Sequence, residues 1–273
     1  MADTDQKRQA ENIQAFKDGV ASTAPKGVPY SVVLKQDGNP NIATAEVHDD
    51  PAKPSEIRLH KPDLTLREIF AEMAGVKPEH LKMEPPGNAA AYYFEIAEHE
   101  AGHMHSRYGA GNALGGENIA DNKSYNGNNP AVEDAMRDTR KLSSLIHPDH
   151  ATSPALPDKP GGEAQEKSAI KMHAAAQDFR DLVASDLMGR GKIGSPAELE
   201  GLQQNDPKAV YDTVSSLTRG GAFDAAEGSR GDFLRQYAND YMQAAEKWIK
   251  GVEPAPASTP AAKPAPAMAA PVM

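Results

Sequence analysis

The chain has 273 residues, with 29 Lys plus Arg against 39 Asp plus Glu, a formal net charge of −10 at pH 7, and no cysteine. The missing thiols exclude disulfides, Cys-ligated zinc, iron–sulfur clusters and cysteine nucleophiles, which leaves His, Asp and Glu as candidate metal ligands. An acidic balance without a Lys/Arg run disfavours binding to phosphate backbones, so no nucleic-acid partner is expected.

The N-terminus (MADTDQKRQAENIQAF) lacks the charged-then-apolar signature of a signal peptide, and no stretch approaches the roughly 18 apolar residues that span a bilayer. Cytoplasmic placement is the default expectation, with signal-independent secretion left open. Residues 1–27 read as a polar extension with a helix over 4–18, where Ala10, Ile13 and Phe16 form only a thin apolar stripe. Weak docking is expected of it.

A β-prone region follows, in which Tyr30 to Lys35 and Ile42 to His48 flank the turn formers Asp37-Gly38-Asn39-Pro40. This pattern predicts a hairpin, with Glu56 to His60 as a third strand, hence a small antiparallel sheet. Next, Thr65 and Glu68 have capping-box spacing, Leu66, Ile69, Phe70 and Met73 mark one face, and Gly75 supplies a stop, so a helix is predicted over 64–74.

After Pro85-Pro86-Gly87, Asn88 can cap a helix running to about Arg107, and Gly109, Gly111, Gly115 and Gly116 mark a loop. Asn129-Pro130 starts a helix with Val132, Met136, Thr139, Leu142 and Ile146 on one side, ended by Pro148. Residues 151–162 read as a linker, and helices are predicted near 164–188, 195–204, 207–218 and 230–250. In the last of these, Leu234, Tyr237, Tyr241, Ala245 and Trp248 form a packing face. Residues 251–273, with six Pro and eight Ala, read as a disordered extended tail. The fold class expected is α+β, mainly helical.

The stretch that carries chemistry is EIAEHEAGHMHSR, where His99-Glu100-Ala101-Gly102-His103 matches H-E-x-x-H on a predicted helix. Residues four apart share a helix face, so both imidazoles can meet one zinc ion, while Glu100 stays off the metal and can take a proton from water. Gly102 costs helix propensity but permits another segment to approach closely.

At this point the sequence resembles the zincin metallopeptidases, over about residues 92–105. The resemblance implies a peptidase domain over 28–150, with His99 and His103 as zinc ligands, Glu100 as general base and a peptide or protein substrate. It also implies that the upstream strands form a sheet whose edge holds an extended substrate by backbone pairing. Ser106 and Gly109 stand where a metzincin needs Gly and His, which excludes that subtype.

A gluzincin-like site takes its third ligand from a later Glu. Glu133, 30 residues beyond His103, is the preferred candidate, with Asp134 its immediate competitor. Glu117 is the alternative, because Glu117 and Asp121 have the E-x-x-x-D spacing in which one carboxylate binds metal and the other supports a histidine. Asp121 itself, with Tyr125 assisting an oxyanion, would correspond to an aspzincin-like arrangement, although the Gly-Thr-x-Asp pattern is missing. A di-iron site would need a second E-x-x-H pair, which is lacking. His105, His147 and His150 read as exposed or capping residues.

Two functions compete on the sequence alone. One is a zinc-dependent metallopeptidase with residues 163–250 as a helical accessory region. The other is a non-catalytic helical interaction protein with a structural or degenerate H-E-x-x-H, binding a protein partner through its C-terminal helices or tail.

Overall fold

A computed structural model of the chain describes residues 2–48, 50, 53–106, 117, 120, 121, 123–148, 163–224 and 228–251. The fold is mostly helical with a three-stranded sheet near the N-terminus, as the residue pattern predicts. The glycine loop, the 151–162 linker, His150 and the tail beyond Gly251 lie outside the described residues.

The sheet departs from the expected topology. Strands β1 (Tyr30–Leu34), β2 (Ala43–Glu46) and β3 (Ser55–Leu59) are ordered β1-β3-β2. Strand β3 runs parallel to β1 and antiparallel to β2, so the sheet is mixed and there is no β1–β2 hairpin. The physical reason lies in β3 and the residue after it. Ile57 and Leu59 are fully buried, which suits a central strand. His60 then fills the gap between the other two, with Nδ1 facing Lys35 O at 3.1 Å and Asp37 Oδ1 at 2.9 Å, and Nε2 meeting the Thr44 hydroxyl at 2.9 Å. Because both Nδ1 partners are acceptors, the ring proton sits on Nδ1, and Nε2 accepts from Thr44.

Helix α1 (Ala2–Thr23) also departs from expectation, because it docks tightly. Phe16 and Val20 are fully buried, and buried Asn12 donates from Nδ2 to Pro62 O and Leu64 O. A Cβ on Gly19 would lie 2.4 Å from Phe94 O, so only glycine lets the two helices come this close. The thin stripe underestimates docking because a glycine contact adds packing without adding hydrophobic residues.

Helix α2 (Leu66–Ala74) has the full capping box between Thr65 and Glu68, and Gly75 ends it at φ 68°. Such caps contribute about 1 kcal/mol each. Helix α3 (Ala89–Gly102) starts where the Asn88 side chain accepts from Ala91 N at 2.9 Å. It is buried on nearly all sides, enclosed by α1, α2, β2 and α4 (Pro130–Ser143). Its last turn passes into a 3-10 turn over His103–Ser106.

Helices α5 (Glu163–Gly189), α6 (Leu199–Asn205), α7 (Pro207–Arg219) and α8 (Gly228–Ala245) lead into a π-turn over Glu246–Lys250. They share one continuous hydrophobic core with the N-terminal half. Trp248 packs against Phe70 with ring centroids 4.2 Å apart and tilted by 43°, and donates from Nε1 to Asp138 Oδ2 at 2.9 Å. Lys247 pairs with the same carboxylate, and buried Gln203 donates to Ala74 O and Leu142 O. No helix among the described residues is long and apolar enough to cross a membrane.

Candidate metal centre

The predicted motif lies at the C-terminal end of α3. His99 is buried, and the rings of His99 and His103 lie 5.0 Å apart at 88°. Facing them is a helical segment that includes Glu117, Ala120 and Asp121. Glu117 places Oε2 at 3.3 Å from His99 Nε2 and Oε1 at 3.6 Å from His103 Nε2. Asp121 Oδ1 lies 2.9 Å from His99 Nδ1. His99, His103 and Glu117 form a group whose ligand atoms all lie within 4.8 Å of one another.

Glycine makes this meeting possible. A Cβ built on Gly102 would lie 2.7 Å from Ala120 Cα, inside any real contact distance. The close approach expected of Gly102 is therefore filled by the segment that delivers the two acids.

Glu133, the third ligand preferred on sequence grounds, is not in the group. It is buried in the first turn of α4, where its Oε1 accepts from Gly127 N at 2.9 Å and Asn129 N at 3.1 Å. Its carboxylate closes the turn before the helix, next to Glu95 and Glu98, whose pKa values its charge raises. Asp134 is exposed on the next position of α4. His105 donates to Thr23 O at 2.7 Å, tying the 3-10 turn to α1, and His147 is exposed.

Arg140, which no sequence motif singles out, completes the site from α4. Its Nη2 lies 3.2 Å from Asp121 Oδ1 and 3.4 Å from Glu117 Oε2, and its charge also acts on the Tyr125 phenol. The same Nη2 is 3.0 Å from His99 Nε2 and 3.3 Å from Nδ1. Near-equal distances to both ring nitrogens place it against the ring face, off the line of either lone pair. His99 Nε2 thus points in the ring plane at Glu117 and the space beside His103, clear of Arg140, and in the metal-free site its N–H faces the Glu117 carboxylate.

Burial and the Arg140 charge oppose protonation of His99, but hydrogen bonds to Asp121 and Glu117 outweigh them and raise its pKa to about 9. For His103, burial and the neighbouring His99 depress the pKa to about 4. Burial would raise Glu117, yet its bond to His99 and the surrounding positive charges hold it well below the ordinary carboxylate range. Glu100 is pushed up to about 7 by burial, opposed by His99, Arg140 and the backbone of Ala45 in β2.

No family model matches the chain, and no curated protein or solved structure matches it significantly.

Proposed function

We propose that this protein is a zinc-dependent peptidase in which His99, His103 and Glu117 hold the metal and Glu100 is the general base. The observation that carries this reading is the meeting of one carboxylate, Glu117, with both motif histidines, while Asp121 takes the opposite nitrogen of His99. Two ligands on tetrahedral zinc, with bonds of about 2 Å, stand roughly 3.3 Å apart. The Glu117 oxygens lie 3.3 and 3.6 Å from the two Nε2 atoms, which suits that donor set. Two imidazoles and one carboxylate leave a fourth position open, the arrangement of catalytic rather than structural zinc.

Bound zinc would supply a Lewis acid that polarises a peptide carbonyl and acidifies water. Asp121 accepts the Nδ1 proton of His99 and so fixes the tautomer that presents Nε2 as ligand. Glu100 takes a proton from the attacking water and returns it to the leaving amine, a task suited to a carboxylate whose proton affinity burial raises. Strand β2 is an edge of the sheet, and its Ala45 backbone lies at Glu100. An extended peptide pairing along that edge would bring its carbonyl beside the base, which is why a peptide or protein is the substrate class proposed.

The test uses the full chain, zinc, and a mixed peptide library analysed by mass spectrometry. Wild type should cleave, and Glu100→Gln should keep its zinc and lose cleavage by at least about a hundredfold. Equal cleavage by both proteins would refute the assignment of Glu100.

A further inference from the structure

The site carries a cation of its own. Glu100, Glu117 and Asp121 bring three acidic side chains to the motif histidines, and the largely buried Arg140 guanidinium is set against them from α4. Its contacts run to Asp121, Glu117, Tyr125 and the face of His99, so it binds the same carboxylate that the metal reading assigns to zinc. Without metal, His99 alone sets one positive charge against the two carboxylates of Glu117 and Asp121, and the remaining repulsion would drive the acids apart or out to water. With Arg140 in place, the pair has a counter-charge and two hydrogen-bonded anchor points.

We propose that Arg140 is a resident counter-ion that keeps the metal-free site assembled and, by sharing Glu117 with the incoming ion, lowers the affinity for zinc. This rests on the metal-site reading above. The consequence is a site that is preorganised when empty yet holds its metal less tightly than its three donors alone would, so that loading follows the zinc supply. The empty site gains from Arg140 the attraction that the filled site loses as repulsion between like charges a few ångströms apart.

The experiment compares zinc affinity, by competition with a chromophoric chelator, and thermal unfolding with and without zinc. It uses full-length wild type, Arg140→Gln, Arg140→Lys and His99→Ala. Arg140→Gln keeps a hydrogen-bonding head without the charge. It should bind zinc at least about tenfold more tightly than wild type. Its metal-free form should melt lower, and zinc should raise its melting temperature by more than it raises that of wild type. Arg140→Lys retains the charge and should stay near wild-type affinity. Equal or weaker zinc binding by Arg140→Gln overturns the proposal, as does an Arg140→Gln protein that zinc cannot bring to a folded state. If wild type and His99→Ala both bind no zinc, the metal site itself is refuted, an outcome separate from the failure of Arg140 alone.

Discussion

Ala120 Cα stands 2.7 Å from the point where a side chain on Gly102 would begin. The helix carrying the two histidines and the segment carrying Glu117 and Asp121 therefore touch backbone to backbone, at the centre of the H-E-x-x-H motif. A methyl group at residue 102 must push the acids away from the imidazoles. Gly102→Ala would gain about 1 kcal/mol of helix propensity, but overpacking costs about 1–3 kcal/mol. The variant should be neutral to moderately destabilised, and its zinc affinity should fall by at least about tenfold as Glu117 moves off. Chelator competition with a parallel thermal melt measures both; unchanged zinc binding would mean that the contact does not set the site.

Glu117 and Glu133 should separate cleanly. Glu117→Ala removes a ligand and is expected to abolish tight zinc binding while the fold persists. Glu133→Ala should keep zinc, but it exposes the unpaired N–H groups of Gly127 and Asn129 and should cost about 1–3 kcal/mol of stability. Zinc titration and urea unfolding of the two variants give the comparison, and the reverse pattern would restore Glu133 as ligand.

Glu95 makes a pH prediction independent of metal. It is 1% exposed, its Oε2 lacks a hydrogen-bond partner, and burial with the charges of Glu98 and Glu133 raises its pKa to about 8. Its folded pKa lies above its unfolded one, so the folded state binds the proton more tightly. The stability from this group is fully present below about pH 4.5 and is lost as the pH rises through about 8. Glu95→Gln should match wild type near pH 4 and be more stable at pH 8. Urea midpoints across that range measure it, and parallel pH curves would contradict the shift.

Asp138 joins the two halves of the chain through Lys141, Lys247 and the Trp248 indole. Asp138→Ala leaves these donors without their acceptor and should destabilise by about 2–3 kcal/mol. The single tryptophan makes this readable. Its fluorescence should report one unfolding transition shared with circular dichroism in wild type, since Trp248 belongs to the common core.

What the sequence made legible follows the range of the forces involved. Helix α2 was readable to its caps because Thr65, Glu68 and Gly75 act within a turn or two of the residues they satisfy. Strand positions were readable from β-prone runs. Their pairing was not, since it depends on His60 reaching both Lys35 and Thr44. In the site, His99, Glu100 and His103 follow from spacing on one helix, and the E-x-x-x-D pattern marked Glu117 and Asp121. Glu117 lies only 14 residues beyond His103, a short connection that by itself favours Glu133 and says nothing of how closely Gly102 lets the segment return. Arg140 carries no local signal, because the acids that make it part of the site lie 19 and 23 residues away in the chain.

The most direct test of the account is the metal content of full-length protein purified without a histidine tag, measured by inductively coupled plasma mass spectrometry beside His103→Ala. About one zinc per chain is expected in wild type and almost none in the variant. Wild type without stoichiometric zinc, even after reconstitution, would contradict it and favour a helical interaction protein whose H-E-x-x-H is structural.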